Sequence, residues 1–122
     1  MITGYRNFYY NVQDMGRAVL FYQTALRMTK AYGDEYWTAM TVGNLQLGLH
    51  WTEGTPVPLT PRDAHGQNAG GTLTLSSSNI AEDRLQIELA GGKILGETNQ
   101  QWGHMLIFED LDGNVLNLMN PK

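Results

Sequence analysis

The chain repeats itself at a spacing of 65 residues, and this duplication restricts its fold more than any other feature. Adding 65 carries Asn7 to Thr72, Asp14 to Asn79, Ala25 to Ala90 and Trp37 to Trp102. Beyond Trp102 the spacing drifts, because Gly43-Asn44 and Gly113-Asn114 lie 70 apart. Self-similarity at a fixed period means one structural unit used twice. Each copy spans about 50 residues, too few to bury a sizeable core alone, so the two must share one.

Residues 7–12 alternate as a strand does, with Phe8, Tyr10 and Val12 on one face and Asn7, Tyr9 and Asn11 on the other. Asp14 is placed to cap a helix by accepting from a free backbone N–H of the first turn. Met15, Val19, Tyr22 and Leu26 form the apolar stripe of that helix, flanked by Ala18 and Ala25. Strands are predicted at 28–32, 35–42 and 45–51, with turns at Gly33-Asp34 and Gly43-Asn44. The stretch 52–70 holds three of the four prolines and no periodicity, and reads as an exposed linker.

The pattern then restarts. Residues 72–76 alternate, with Leu73 and Leu75 opposite Thr72, Thr74 and Ser76. Asn79 takes the capping place of Asp14, and a helix runs to Gly91-Gly92, a stop signal. Its stripe is ragged, with Ile80 and Ile87 pointing one way and Leu85 and Leu89 nearly the other. Short strands follow at 93–96, 105–109 and 115–119, the last after the turn Asp112-Gly113-Asn114. In that last strand Leu116 and Leu118 share one face, and Val115, Asn117 and Met119 the other. The expected organisation is therefore one domain over 1–122: a strand–helix–three-strand unit at 1–51, a linker at 52–70, and a second unit at 71–122.

Composition removes several function classes. Eight Lys and Arg against twelve Asp and Glu leave a charge of −4, the wrong sign for a phosphate backbone, so nucleic acid is not an expected partner. The chain has no cysteine, hence no disulfide, no thiolate chemistry and no Cys-type metal site. No run of 18 apolar residues and no signal-peptide core is present, so the reading is a cytoplasmic protein with no membrane partner. Phosphate-loop, nucleophile-elbow and His-Glu-x-x-His motifs are missing. Asp34-Glu35 and Glu109-Asp110 read as hairpin-edge charges, and no catalytic residue can be assigned.

A twice-used βαβββ unit resembles the vicinal oxygen chelate superfamily, which includes glyoxalase I, extradiol dioxygenases, and bleomycin- and fosfomycin-resistance proteins. The segment "NVQDMGRAVLFYQTALRM" is similar to its opening signature, and "WG…FEDLDGNVLNL" to its closing one. The resemblance covers nearly the whole chain. It implies an α+β fold in which two βαβββ units form curved mixed sheets around a cavity, with helices on the outside. It also implies a homodimer, since relatives of the bleomycin-resistance type pair their units within or between chains.

In the metal enzymes of that family, cavity-facing side chains on the first and last strands of each unit hold a divalent ion, usually through His, Glu or Gln. Carried over by motif, the first-strand positions are Asn7 and Thr72. The last-strand positions are Asn117, where such an enzyme would have Glu, and either Gln46 or Gly48. Neutral amides and hydroxyls bring no charge to offset the desolvation of an ion. The expectation is no metal; the alternative is a divalent ion such as Zn, Mn, Fe or Ni. His50 shares a face with Gln46 and could contribute, although a lone His is more often an ordinary hydrogen-bonded residue.

The candidate ligand-binding residues are Asn7, Tyr9, Asn11, Trp37, Gln46, His50, Thr72, Thr74, Trp102, Asn117 and Met119. Aromatic, amide and hydroxyl groups together suit a small polar organic ligand. Trp37 and Trp102, in matching places of the two halves, could stack on a planar or cationic one. The function expected is metal-free sequestration of a small organic or antibiotic-like molecule. The alternative is an enzyme, either a metal-dependent lyase, isomerase or dioxygenase, or a metal-free catalyst using Tyr9 or His50 as acid or base. A structural module without a ligand is the third reading.

Overall fold

The structure, a computed structural model, describes residues 1–65, 68 and 70–122. The first unit comprises β1 (Phe8–Val12), α1 (Met15–Ala25), β2 (Thr29–Gly33), β3 (Trp37–Val42) and β4 (Leu45–Trp51). The second comprises β5 (Leu73–Ser76), α2 (Ile80–Leu89), β6 (Lys93–Gln100), β7 (Gly103–Glu109) and β8 (Val115–Pro121). Each unit folds its strands into one four-stranded mixed sheet, ordered β1-β4-β3-β2 and β5-β8-β7-β6. In each the first and last strands pair in parallel, and the other neighbours are antiparallel. The expected α+β pair of βαβββ units is present.

Both helices start where the caps were expected. Asp14 Oδ1 accepts from Arg17 N, and Asn79 Oδ1 from Glu82 N. The buried side of α1 is Ala18, Phe21, Tyr22 and Ala25: it keeps Tyr22 and the two flanking alanines of the expected stripe and adds Phe21, while Met15, Val19 and Leu26 are half-buried. In α2 only Ile80 and Ile87 are buried, while Leu85 and Leu89 stay exposed.

One apolar core joins the units. It contains Phe21, Tyr22 and Met28 with Met40, Leu47 and Leu49 from the first, and Ile87, Leu106, Phe108, Leu116 and Leu118 from the second. The helices pack on each other and on the same side of their sheets, leaving each sheet one helix-free face. A buried polar link reinforces the junction. Asp110, 4% exposed, accepts from the Tyr22 hydroxyl at 2.6 Å and the Asn114 amide at 2.9 Å, and Asn114 also donates to Asn11 O at 2.9 Å. Asp110 is thus no hairpin-edge charge. It sits inside because the 110–114 loop folds back on itself, with backbone N–H groups of Asp112 and Asn114 donating to Oδ1.

The linker is not fully exposed. Arg62 is half-buried and forms an ion pair with Glu109, and Asn68 donates to Thr72 Oγ1 at 2.9 Å. Gly66, Gln67 and Ala69 of the expected linker lie outside the described residues. Among the described residues no helix is long and apolar enough to cross a membrane.

Candidate functional site

Strand alternation places Tyr9 and Asn11 of β1, Gln46, Gly48 and His50 of β4, and Trp37 of β3 on the helix-free face of the first sheet. The register puts Gly48 between Tyr9 and Ala39, and His50 between Asn11 and Trp37. Their side chains converge. The Tyr9 ring lies 5.4 Å from Trp37 and 5.9 Å from His50, and Trp37 lies 6.4 Å from His50, centroid to centroid and tilted or edge-on. The indole leans over Gly48, where an added Cβ would fall 2.2 Å from Trp37 Cζ2. Glycine is required there by the close approach of the ring.

Asn11 orients the imidazole, its Oδ1 lying 3.0 Å from His50 Nδ1. The tautomer that donates from Nδ1 to this oxygen leaves the Nε2 lone pair to accept. Further along the face Gln46 donates to the Tyr32 hydroxyl at 2.9 Å. Tyr9 is 51% exposed, so this aromatic surface is open rather than sealed in the core. Asn7 stands exposed one residue ahead of β1.

On the second sheet Asn117 pairs with Thr74 on one side and Ile107 on the other, and Met119 with Ser76 and Met105. Asn117 is half-buried between buried Leu116 and Leu118. Thr72 lies just before β5, held by Asn68. Tyr9, Asn11, Trp37 and His50 therefore form one cluster, with Gln46 further along the same face and Asn7 outside it, and Thr74, Asn117 and Met119 share a face of their own sheet. Trp102 belongs to neither. It stands 49% exposed in the turn between β6 and β7.

The ladders also correct the expected equivalences. Phe8 pairs with Leu47 as Leu73 pairs with Leu116, so β4 maps on β8 with a shift of 116 − 47 = 69. Asn117 then corresponds to Gly48, not Gln46. Met40 pairs with Leu47 as Phe108 pairs with Leu116, giving 108 − 40 = 68 for β3 on β7. Trp37 therefore matches Met105, and its equivalence to Trp102 fails. Sequence reasoning also missed Tyr32 as the partner of Gln46, and the pairing of Tyr36 with Trp51 at 5.5 Å. The dense tyrosines of 32–36 were the available signal. His104 lies on the helix side, where Glu97 Oε2 is 2.8 Å from its Nε2 and Arg84 donates to Glu97 Oε1.

A model of the Glyoxalase/Bleomycin resistance protein/Dioxygenase superfamily matches residues 5–118. The chain belongs to that superfamily. Solved structures share its fold at low identity. Hypothetical protein SA1046 from S. aureus is 18% identical with a TM-score of 0.77, over 98% of this chain and 95% of that one. A fosfomycin resistance protein, FosX from Listeria monocytogenes, complexed with Mn(II) and sulfate, is 17% identical with a TM-score of 0.77, over 100% and 93%. TnmS3, an antibiotic binding protein from Streptomyces sp. CB03234, is 19% identical with a TM-score of 0.65, over 100% of both chains.

The superfamily's metal positions can be tested against the residues present. Asn7, Thr72, Gly48 and Asn117 offer two amides, one hydroxyl and no side chain at all. Among the described residues no three His, Cys, Asp or Glu are grouped to hold an ion. This donor set does not fit a first-row divalent metal, which needs imidazole, carboxylate or several oxygens.

Proposed function

We propose that the protein binds a small, planar organic ligand of antibiotic-like size on the helix-free face of its first sheet, without a resident metal. The supporting observation is the convergence of Tyr9, Trp37 and His50 over Gly48. Three tilted ring faces with an amide at one edge favour stacking and one or two orienting hydrogen bonds. The negative net charge and the ring faces favour a neutral or cationic molecule over an anion. The family neighbour described as an antibiotic binding protein supports the same reading.

We further propose a homodimer in which a second copy covers this face. The exposed Tyr9 and Tyr32 stand in line on this face, either side of Ala39 and Gly48, and one chain leaves them open. Native mass spectrometry of freshly purified protein, with elemental analysis, tests both ideas. Dimers carrying an organic adduct and no stoichiometric metal are expected. About one Zn, Mn, Fe or Ni per chain, or a bare monomer, would reject the reading.

One observation favours a second reading. His50, oriented by Asn11 and with its Nε2 lone pair, lies beside Tyr9, as a metal-free acid–base pair would. Turnover unaffected by chelator and lost in His50→Ala would identify a catalyst of that kind.

A further inference from the structure

The two sides of the junction between the units are not alike. On one side the 110–114 loop meets β1 and α1, and three side chains seal the contact. Tyr10 donates its hydroxyl to Val115 O at 2.7 Å, Asn114 donates to Asn11 O, and Asp110 accepts from Tyr22. On the other side the turn at Gly43 and Asn44 meets β5 and the start of α2. There a cleft of about 350 Å3 remains, lined by Leu26, Val42 and Leu45 from the first unit and by Leu75, Asp83 and Leu118 among others from the second.

The strand shifts explain the difference. Leu75 stands where Tyr10 stands in the other unit (75 − 10 = 65), Val42 where Asp110 does (110 − 42 = 68), and Leu45 where Asn114 does (114 − 45 = 69). Ile87 stands where Tyr22 does (87 − 22 = 65), so the open side lacks both phenols and all three polar contacts. It also gains a charge, because Asp83 occupies the place of Ala18 (83 − 18 = 65). Asp83 Oδ2 accepts from Ser77 Oγ at 2.5 Å, and Oδ1 has lone pairs to offer a donor.

We propose that this cleft is a second binding site, separate from the aromatic face, for a small aromatic molecule carrying a cationic amine. The ring takes the place that the Tyr10 phenol fills on the sealed side, among Leu26, Leu45, Leu75 and Leu118. The amine pairs with Asp83. Thr74, assigned from sequence to the ligand-binding face, also lines this cleft.

Benzylamine, benzyl alcohol and benzoate are the probes, titrated into full-length protein with 13C-labelled Leu and Val methyl groups. Benzylamine should shift the methyl signals of Leu26, Val42, Leu45, Leu75 and Leu118 saturably, with benzyl alcohol weaker and benzoate without effect. Asp83→Asn should weaken benzylamine by roughly threefold or more, as loss of a partly exposed ion pair does. Leu75→Tyr restores the sealing ring and should abolish the shifts; if that variant does not fold, Asp83→Asn and the anion comparison carry the test. Benzoate binding as well as benzylamine, shifts confined to Leu and Val methyls outside the cleft, unchanged benzylamine binding in Asp83→Asn, or no shifts at all would overturn the proposal.

Discussion

Tyr22→Phe isolates the polar link between the units. The phenylalanine keeps the ring of a fully buried side chain and removes only the O–H donated to Asp110 at 2.6 Å. Asp110 would remain buried with one donor fewer. A hydrogen bond to a charged group contributes about 1.5–3 kcal/mol, and the loss falls directly on stability because water cannot replace it at this depth. For a domain of this length each kcal/mol is worth roughly 3–5 °C, so Tm should fall by about 5–15 °C. The loss should also depend on pH. Burial pushes the Asp110 carboxyl above its ordinary value, against the Tyr22 and Asn114 donors that pull it down. A carboxyl raised in the folded state contributes stability that is present at low pH and lost as pH rises through its folded value. Tyr22→Phe raises it further, so the destabilisation should be largest at neutral pH and shrink as Asp110 protonates. Calorimetry at pH 7.5 and pH 4 checks this. A fall below about 2 °C, or an equal loss at both pH values, would refute the reasoning.

Other substitutions address the helix-free faces. Gly48→Ala places a methyl against the Trp37 indole and should cost about 1–3 kcal/mol or drive the ring outward; near-UV circular dichroism and tryptophan fluorescence should both change. Leu118→Ala should cost about 2–5 kcal/mol as a buried large-to-small change, and Asn117→Ala under about 1 kcal/mol, as denaturant melts will show. The reverse order would mean that the two faces of β8 are exchanged. Asn117→Glu alone should leave the melting temperature insensitive to added Zn2+ or Mn2+, because no imidazole stands at position 7 or 72 to complete a site.

The faces of the strands were legible in the sequence because their period is two and the core side is nearly all Leu, Met, Phe and Val. Asn11, Gln46, His50 and Asn117 fall on the sides that alternation assigned them. Register was less legible. β6 runs through Gln100 where a strand ending at Gly96 was expected, and β7 begins at Gly103 rather than Met105. Bulges interrupt β2 between Lys30 and Tyr32 and β6 between Ile94 and Gly96, and a ladder slip of this kind leaves no periodic trace. The two bulges sit at matching places, however, and leave the repeat in step; it is the β6–β7 hairpin, four residues longer than the β2–β3 one (Gly96 to Ile107, 107 − 96 = 11, against Tyr32 to Ala39, 39 − 32 = 7), that makes a constant shift of 65 match Trp37 with Trp102 instead of Met105. The Asp110 network was illegible for another reason. Tyr22 and Asp110 are 88 residues apart, and a carboxylate in an Asp-Gly-Asn turn reads as solvated until the loop is seen folded inward.

The most direct test of the binding account is 19F NMR of protein labelled with 5-fluorotryptophan, whose three signals report Trp37, Trp51 and Trp102 separately. Proflavine, a planar aromatic cation, is titrated in the presence of a chelator. The account predicts a saturable shift of the Trp37 signal, little change at Trp102, and loss of the effect in Tyr9→Ala. A shift that requires added divalent metal, or binding that leaves the Trp37 signal unmoved, would contradict it.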